Sequence, residues 1–416
     1  MNRRVVVTGC GVICALGGNT QNFSQALASG RSGVQALDTH FFAGRVRGAS
    51  PRGVAARIGG DAAGQFHGYE LELLDPVSRY ALIAGREACD GSGLLSDPVQ
   101  NSDAGVYIGT GMGGASSVER AYADMFGLGA APRPLAILSA MNNAAAGHLS
   151  IRLGLKGPNF TYSCACASSA VAIGEAFHAI RCGRLDCALA GGAEACIVAG
   201  VMRAWDSLRV LAPVHSTCAA ASCRPFSADR AGIVLGEGAA MLVLEDVESA
   251  EHRGTPILAE MLGYGATADA CHITNPSVDG QARAMYAALA DAGLDPADID
   301  YVNAHGTATR IGDVCETLAI KRVFGERAHD TPVSSTKSVH GHLLGAAGAL
   351  EFAACLQSMR GNFLPATMHL GEHDPDCDLD YVGNAPRLGV PIRRFMSNSF
   401  AFGGSNAVLI GGEFRR

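Results

Sequence analysis

A thiol stands in Tyr162-Ser163-Cys164-Ala165-Cys166-Ala167-Ser168-Ser169-Ala170, directly before a stretch in which Ala170, Ile173, Gly174, Phe177 and Ile180 recur at helical spacing. Gly183, just beyond Arg181, supplies the stop. A cysteine at the N-terminus of such a helix faces unpaired backbone N–H groups and the positive end of the macrodipole, and both favour the thiolate. A free cysteine is a few per cent thiolate at neutral pH. A dipole contribution of up to ~2 kcal/mol, at ~1.4 kcal/mol per pKa unit, carries that fraction toward roughly half. Cys166 is therefore the candidate nucleophile, with no general base required. A cysteine in an arbitrary chain is more often a small buried hydrophobe, so its surroundings must decide.

Three further stretches gather polar groups at strand-to-loop positions: Asn303-Ala304-His305-Gly306-Thr307-Ala308-Thr309, Ser335-Thr336-Lys337-Ser338-Val339-His340-Gly341-His342, and Asn398-Ser399-Phe400-Ala401-Phe402-Gly403-Gly404-Ser405-Asn406. One histidine before a glycine at a strand end is commonplace. A cysteine and two histidines, Cys166, His305 and His342, at comparable positions are not. Lys337 stands out because the chain has only three lysines, Lys156, Lys321 and Lys337, the remaining basic residues being arginine. A lysine kept inside a motif points to a place where a compact point charge fits and a planar guanidinium does not.

The chain of 416 residues is 48% hydrophobic and 17% charged, enough to bury a large core and too long for one small domain. It contains no apolar run of membrane-spanning length, and Val5-Val6-Val7 is too short for a signal peptide, so a soluble, cytoplasmic protein with no membrane partner is expected. Its 14 cysteines are expected to stay reduced. Cys164-x-Cys166 has no second pair at finger or ribbon spacing, so no metal site is expected. A formal charge of -7 argues against a nucleic-acid partner. Gly9-Cys10-Gly11-Val12-Ile13-Cys14 lacks the third glycine of a dinucleotide fingerprint, and no cofactor is expected.

The elements that must hold these residues follow a strand-helix rhythm, which argues for an α/β fold with a mostly parallel sheet. Val5 to Thr8 reads as a buried strand, with Gly9, Gly11, Gly17 and Gly18 breaking up a loop after it. Residues 40–70, rich in Gly, Arg and Ala, read as surface loop. The pattern then predicts a helix from Asp75 to Asp90, a strand at 105–109, a helix at 142–153, and a strand from Cys187 to Ala190 ending at Gly191-Gly192. Met241 to Leu244 is a further core strand, and Gly254-Thr255-Pro256 marks an internal boundary. Beyond it the predicted order is strand 257–261, helix 281–292, strand 301–304, helix 313–324 and strand 333–335. His342 is then expected to open a helix whose first turns are as small as those after Cys166. Gly-Gly pairs follow in both halves, Gly191-Gly192 and Gly403-Gly404, a faint internal repeat of about 150 residues or more.

Taken together, the four stretches resemble the condensing enzymes of the thiolase superfamily, and among them the elongating beta-ketoacyl-[acyl-carrier-protein] synthases. The resemblance runs from Val5-Val6-Val7-Thr8-Gly9 to Asn406, and its Cys-His-His set is highly specific. It implies a thiolase-like fold of two duplicated halves, 1–255 with the nucleophile and 256–416 with the two histidines, the lysine and a gating loop. These would stack as five alternating α-β-α-β-α layers, usually in a dimer. Position by position, Cys166 would take an acyl group from an acyl carrier protein, and the backbone N–H groups of Cys166 and Phe402 would form the oxyanion hole. His305 and His342, as neutral hydrogen-bond donors, would hold the thioester oxygen of a malonyl-loaded carrier while carbon dioxide leaves. Lys337 matches the family lysine with Glu351 its ion-pair partner, Phe400 and Phe402 the gate of the acyl pocket, and Met112 the acyl tunnel near the dimer interface. Arg209 matches a carrier-docking arginine, and Arg133 is a further candidate.

The implied activity is that of an acyltransferase, a 3-oxoacyl-[acyl-carrier-protein] synthase, in fatty-acid, polyene or polyketide elongation. The alternative is a ketosynthase subunit active only beside a chain-length-factor-like partner, or a non-catalytic subunit of that kind, so that the dimer is homo or hetero. Some positions depart from the family pattern. Ala401 replaces the usual glycine between the two phenylalanines and should restrict the loop. Cys164 stands where threonine or serine is common, and His340 adds a third histidine, expected to be a bystander. Tyr69-Glu70-Leu71-Glu72-Leu73-Leu74 replaces basic docking residues, which leans away from the general fatty-acid carrier and toward a dedicated polyene or polyketide pathway.

Overall fold

The computed structural model describes residues 3–38, 53–59, 62–96 and 103–416. Among them, ten strands form the main sheet: β1 (Val5–Cys14), β2 (Gly105–Gly109), β3 (Asn159–Tyr162), β4 (Cys187–Glu194), β5 (Gly238–Asp246), β6 (Ala259–Ala268), β7 (Tyr301–Asn303), β8 (Val333–Ser334), β9 (Arg394–Phe400) and β10 (Ser405–Gly412). Their order across the sheet is β8-β7-β9-β10-β6-β1-β5-β4-β2-β3. Outward from the centre, β1-β5-β4-β2-β3 and β6-β10-β9-β7-β8 are the same order displaced by five strands. The faint repeat in the sequence is thus a repeat of topology. The two sets meet at a short antiparallel seam, Val5↔Met261, Val6↔Glu260 and Val7↔Ala259.

Five helices matter most: α1 (Pro76–Ser92), α2 (Ser168–Arg181), α3 (Val278–Ala292), α4 (Arg310–Phe324) and α5 (Ala347–Gly361). The period-2 alternation of strand side chains decides which of them each face covers. In β5, Ala240, Leu242 and Leu244 join a central cluster with α2 and α5, whereas Ala239, Met241 and Val243 turn toward α1. In β10, Ala407 and Leu409 face that same central cluster, while Val408 and Ile410 pack with α3 and α4. One pair of buried helices therefore lies between two half-sheets whose outer faces are covered in turn, giving α-β-α-β-α layers. Every residue of α5 from Ala347 to Met359 is buried, which is why, apart from Glu351 and Gln357, its sequence is apolar or small all round rather than striped.

Glycine was the main source of misplaced boundaries. β1 does not stop at Thr8; it runs to Cys14, and Gly9 and Gly11 lie inside it because α1 crosses there. A Cβ on Gly9 would sit 2.1 Å from Ala88 O and one on Gly11 1.9 Å from Ala84 O. β4 likewise continues through Gly191-Gly192 to Glu194, where a Cβ on Gly192 would be 2.5 Å from Ser169 Cβ. Close backbone approach, not a turn, is the reason for these residues. α1 extends past Asp90 and ends at Gly93 with φ 66. Of the loop expected over 40–70, residues 40–52, 60 and 61 lie outside the described residues; in the remainder, Val54–Ala56 is a buried strand and Tyr69–Leu73 a short helix. α5 starts at Ala347 rather than at His342, after a 3₁₀ turn over Leu344–Ala346. Among the described residues, no helix is long and apolar enough to cross a membrane.

Candidate active site

Cys166 sits in a 3₁₀ turn, Ala165–Ala167, at the mouth of α2. Ala165 makes the turn at φ 48, a left-handed conformation costly for a residue with a Cβ. Ser168 helps to hold it, its Oγ accepting from Cys164 N at 2.8 Å and donating to Ala165 O at 2.6 Å. The backbone after Cys166 runs so close to the neighbouring strand that position 109 of β2 must be glycine: a Cβ there would lie 2.2 Å from Ser169 N.

His305 follows β7 and precedes α4. Its N–H and that of Gly306 donate to the two oxygens of Glu316, on α4, at 2.8 and 2.7 Å. Asn398 of β9 donates to the same carboxylate at 3.1 Å. His342 is held by its own backbone, its N–H donating to Val234 O at 2.7 Å and its O accepting from Gly236 N at 2.9 Å. His342 Nε2 lies 3.0 Å from Cys166 Sγ. The His305 and His342 rings meet nearly at right angles, 83°, with centroids 5.3 Å apart. Lys337 forms an ion pair with Glu351, donates to His305 O, and places Nζ 3.4 Å from His305 Nδ1. An ammonium only donates, so Nδ1 of His305 accepts and its ring proton resides on Nε2. His342 Nδ1 is buried without a partner among the described residues, so no hydrogen bond pins its proton there.

Electrostatics corrects the sequence-based account of the thiol. Burial pushes Cys166 up to about 12 from an ordinary 9.0, against the opposing pull of the Lys337 charge and the Phe402 N–H. That rise is worth about 4 kcal/mol, more than the ~2 kcal/mol a helix dipole supplies. The resting residue is therefore a thiol, and it needs a proton acceptor. Burial, and then the Lys337 charge, push His305 and His342 well below 6.5. Both imidazoles are neutral at physiological pH.

These groups open onto a cavity of about 450 Å³ lined by Cys166, His305, His342, Phe400, Phe402 and Trp205, with Arg209 also on its wall. Phe402 stacks on Trp205 with ring centroids 6.0 Å apart, Phe400 stands edge-on to His305 at 6.2 Å, and the Phe402 N–H reaches the Cys166 sulfur. Gly403 at φ 86 and Gly404 at φ 76 follow, conformations glycine adopts freely. Met112 is not brought into this cavity. It lies 40% exposed, with its N–H on Glu194 at 3.1 Å. Arg133 lines a separate cavity with Tyr69 and Arg79, and Cys164 lies on neither. Cys166 Sγ and one ring nitrogen from each histidine fall within 4.8 Å of one another, a donor set that suits zinc once the thiol is deprotonated; the adjoining Lys337 ammonium disfavours a cation there.

Sequence reading missed Glu316, Trp205 and Glu194. Glu194 accepts from the N–H groups of Gly111 and Gly345 at 2.7 and 3.0 Å, tying the two halves together beneath the site. The available signal for Glu316 is an acid on the buried face of α4, where Asp313, Glu316, Thr317 and Ile320 all point inward.

The chain matches Beta-ketoacyl synthase, N-terminal domain, over residues 2–250 and Beta-ketoacyl synthase, C-terminal domain, over residues 258–371. It is 44% identical over 413 residues to Nodulation protein E of Rhizobium meliloti, covering 98% of this chain and 99% of that protein. It is 38% identical over 430 residues to 3-oxoacyl-[acyl-carrier-protein] synthase 2 of Staphylococcus aureus (strain COL), covering 99% of each. The structure of the ishigamide ketosynthase/chain length factor superposes with a TM-score of 0.91 at 33% identity over 100% of both chains. A paired thiol and two neutral imidazoles in a layered α/β frame, with this likeness along the whole length, place the chain in the beta-ketoacyl synthase family of thiolase-superfamily condensing enzymes.

Proposed function

We propose that the protein is a beta-ketoacyl-[acyl-carrier-protein] synthase that condenses an acyl-Cys166 thioester with a malonyl-loaded carrier, releasing carbon dioxide and a 3-oxoacyl carrier. The observation that carries this reading is the contact of Cys166 Sγ with a neutral His342 at 3.0 Å, beside a second neutral imidazole in one cavity. In the first half-reaction the thiol proton passes to His342 Nε2 as sulfur attacks the acyl thioester. Phe402 N–H and Cys166 N–H stabilise the oxyanion, a contribution of ~2.7–4 kcal/mol per donor. The departing carrier thiolate takes the proton, and His342 returns to neutral. In the second half-reaction His305 and His342 donate to the malonyl thioester oxygen as the C–C bond to the carboxylate breaks. The resulting enolate carbon attacks the acyl carbonyl, the tetrahedral intermediate collapses with Cys166 leaving as thiolate, and that thiolate takes up from solvent the one proton the overall reaction consumes. Lys337, braced by Glu351, keeps the His305 proton on the donating nitrogen. Phe400 and Phe402 gate the acyl pocket, and Arg209 takes part in carrier docking.

The division at residue 255, the dimer and a cytoplasmic location belong to the same reading. The shared strand order of the two halves supports the first. For the second, β3 is the sheet edge on one side, and Phe160 on it and Phe126, Leu128 and Ile137 before it are exposed. An uncovered edge and apolar side chains of this size call for a partner, and a second copy of this chain is the simplest. A companion subunit is the second reading, favoured by the similarity to the ishigamide ketosynthase/chain length factor. The pairing of Glu70 with Arg152 occupies the docking stretch with an internal ion pair, which supports a dedicated polyene or polyketide carrier.

Intact-mass measurement after incubation with carriers of several acyl lengths tests the proposal. An acyl adduct on the wild type and none on Cys166→Ala is expected. An adduct that appears only on adding a companion subunit would establish the second reading, and no adduct under either condition would overturn both.

A further inference from the structure

His340 has no step in the reaction above, yet it lies fully buried between Lys337 and His342, and both of its ring nitrogens are engaged. Nδ1 is 2.8 Å from Gly341 O and Nε2 is 2.9 Å from Thr336 Oγ1. A carbonyl oxygen only accepts, so Nδ1 carries the proton. Nε2 must then accept, and the Thr336 hydroxyl donates to it. With its proton committed, Thr336 Oγ1 accepts from Asn303 Nδ2 at 3.3 Å.

The result is a chain of hydrogen bonds with one direction: Asn303 to Thr336, Thr336 to His340, His340 to the Gly341 carbonyl. Asn303 ends β7 two residues before His305, and Gly341 directly precedes His342. The imidazole of His340 thus braces the segment that presents His342, from Thr336 to the Gly341 carbonyl, and Thr336 carries the link across to Asn303 on the segment that presents His305. His342 is also fixed by Val234 and Gly236, and the Gly341 N–H donates to Lys337 O at 2.8 Å; at Gly341, φ 69, the carbonyl is the group that His340 holds. Burial and the Lys337 charge push the His340 ring down to about 3, so the neutral form required by this pattern is the one present.

We propose that His340 is a positioning residue that, through Gly341 and Thr336, sets the placement of His342 relative to His305 and Cys166. The inference rests on the condensing reaction proposed above, in which both imidazoles must reach one thioester oxygen. The whole protein with acyl- and malonyl-loaded carriers is the system for its test. His340→Ala is expected to lower kcat about 10- to 100-fold, the usual cost of a displaced catalytic group, with KM for the malonyl carrier within about twofold. Thr336→Val should produce part of the same loss, and the double variant should be no slower than His340→Ala, because both act in one chain. His340→Asn, whose amide can still donate to the Gly341 carbonyl, should recover part of the rate.

A crystal structure of His340→Ala supplies a readout free of turnover: the 5.3 Å separation of the His305 and His342 rings should change. Unmoved rings, an unchanged kcat, or losses that multiply in the double variant would overturn the proposal. Should His340→Ala not fold, the same measurements on His340→Asn and Thr336→Val decide it. A wild type that condenses with no carrier would overturn the functional reading instead, and the ring positions would still decide the role of His340.

Discussion

At the start of α2, Ala165, Cys166 and Ala167 make a 3₁₀ turn with Ala165 at φ 48; at the start of α5, Leu344, Gly345 and Ala346 make the same turn with Leu344 at φ 42. The residues that close the two turns agree as well, Ala167 at φ -91 and Ala346 at φ -88. The helices then cross at their first turns, where a Cβ on Gly348 would lie 2.8 Å from Ala170 Cβ and Ser169 Oγ accepts from Ala349 N at 2.9 Å. What differs is the central residue. The first turn presents the Cys166 side chain to the cavity, whereas a Cβ on Gly345 would lie 2.1 Å from Gly111 N. The second turn has no room for a nucleophile; its contribution is His342, three residues upstream. Duplication supplied two equivalent corners, and packing against the 110–112 turn left one of them able to carry a reactive side chain.

The largest expected effect concerns the thiol that makes the two corners unlike. With Cys166 held near 12, its thiolate fraction rises tenfold per pH unit at lower pH, so alkylation by iodoacetamide should climb about 10³-fold from about pH 6 to about pH 9 without a plateau. A plateau near neutrality would mean that the helix dipole outweighs burial after all. Next, Lys337→Met takes away the ion-pair partner of the buried Glu351 carboxyl and should cost about 3–5 kcal/mol, read as a fall in the urea midpoint. Restoring stability with Lys337→Met/Glu351→Leu would show that the loss belongs to the broken pair. Gly345→Ala forces a Cβ into the Gly111 backbone and should cost about 1–3 kcal/mol; a neutral outcome would mean that the second corner had room for a side chain. The smallest effect is that of Ser169→Ala, which strips the Ala349 N–H of its acceptor and should cost about 1 kcal/mol, measured by the same denaturation.

Local chemistry made much of this readable from the chain. Cys166, His305, His342 and Lys337 stand in short motifs whose residue types are unusual where they occur, and the structure gathers all four around one point. Most strands and helices of both halves were visible as apolar runs and 3.6-residue periods, but β3 and β10 were not. The sheet is mixed rather than mostly parallel, because β1–β5, β1–β6, β4–β5, β6–β10 and β9–β10 pair antiparallel. The ends of the elements were less legible, because Gly9, Gly11, Gly191 and Gly192 look like loop residues until the helix or strand that crosses them is known.

By itself, the sequence determined the alternation of strands and helices, the doubled pattern, and the candidates for the reactive groups, since these rest on residue type and near-neighbour spacing. Only the tertiary structure decided their chemical state and their company. The thiol is protonated because burial at the base of its cavity strips most water from it, a cost that the local helix dipole does not offset. Glu194 meets Gly111 and Gly345, and Glu316 meets Asn398, only when segments distant in the chain converge, and Met112 is left outside the Cys166 cavity for the same reason. Desolvation and long-range hydrogen bonding depend on what the fold brings near, and that is absent from any single stretch of the chain.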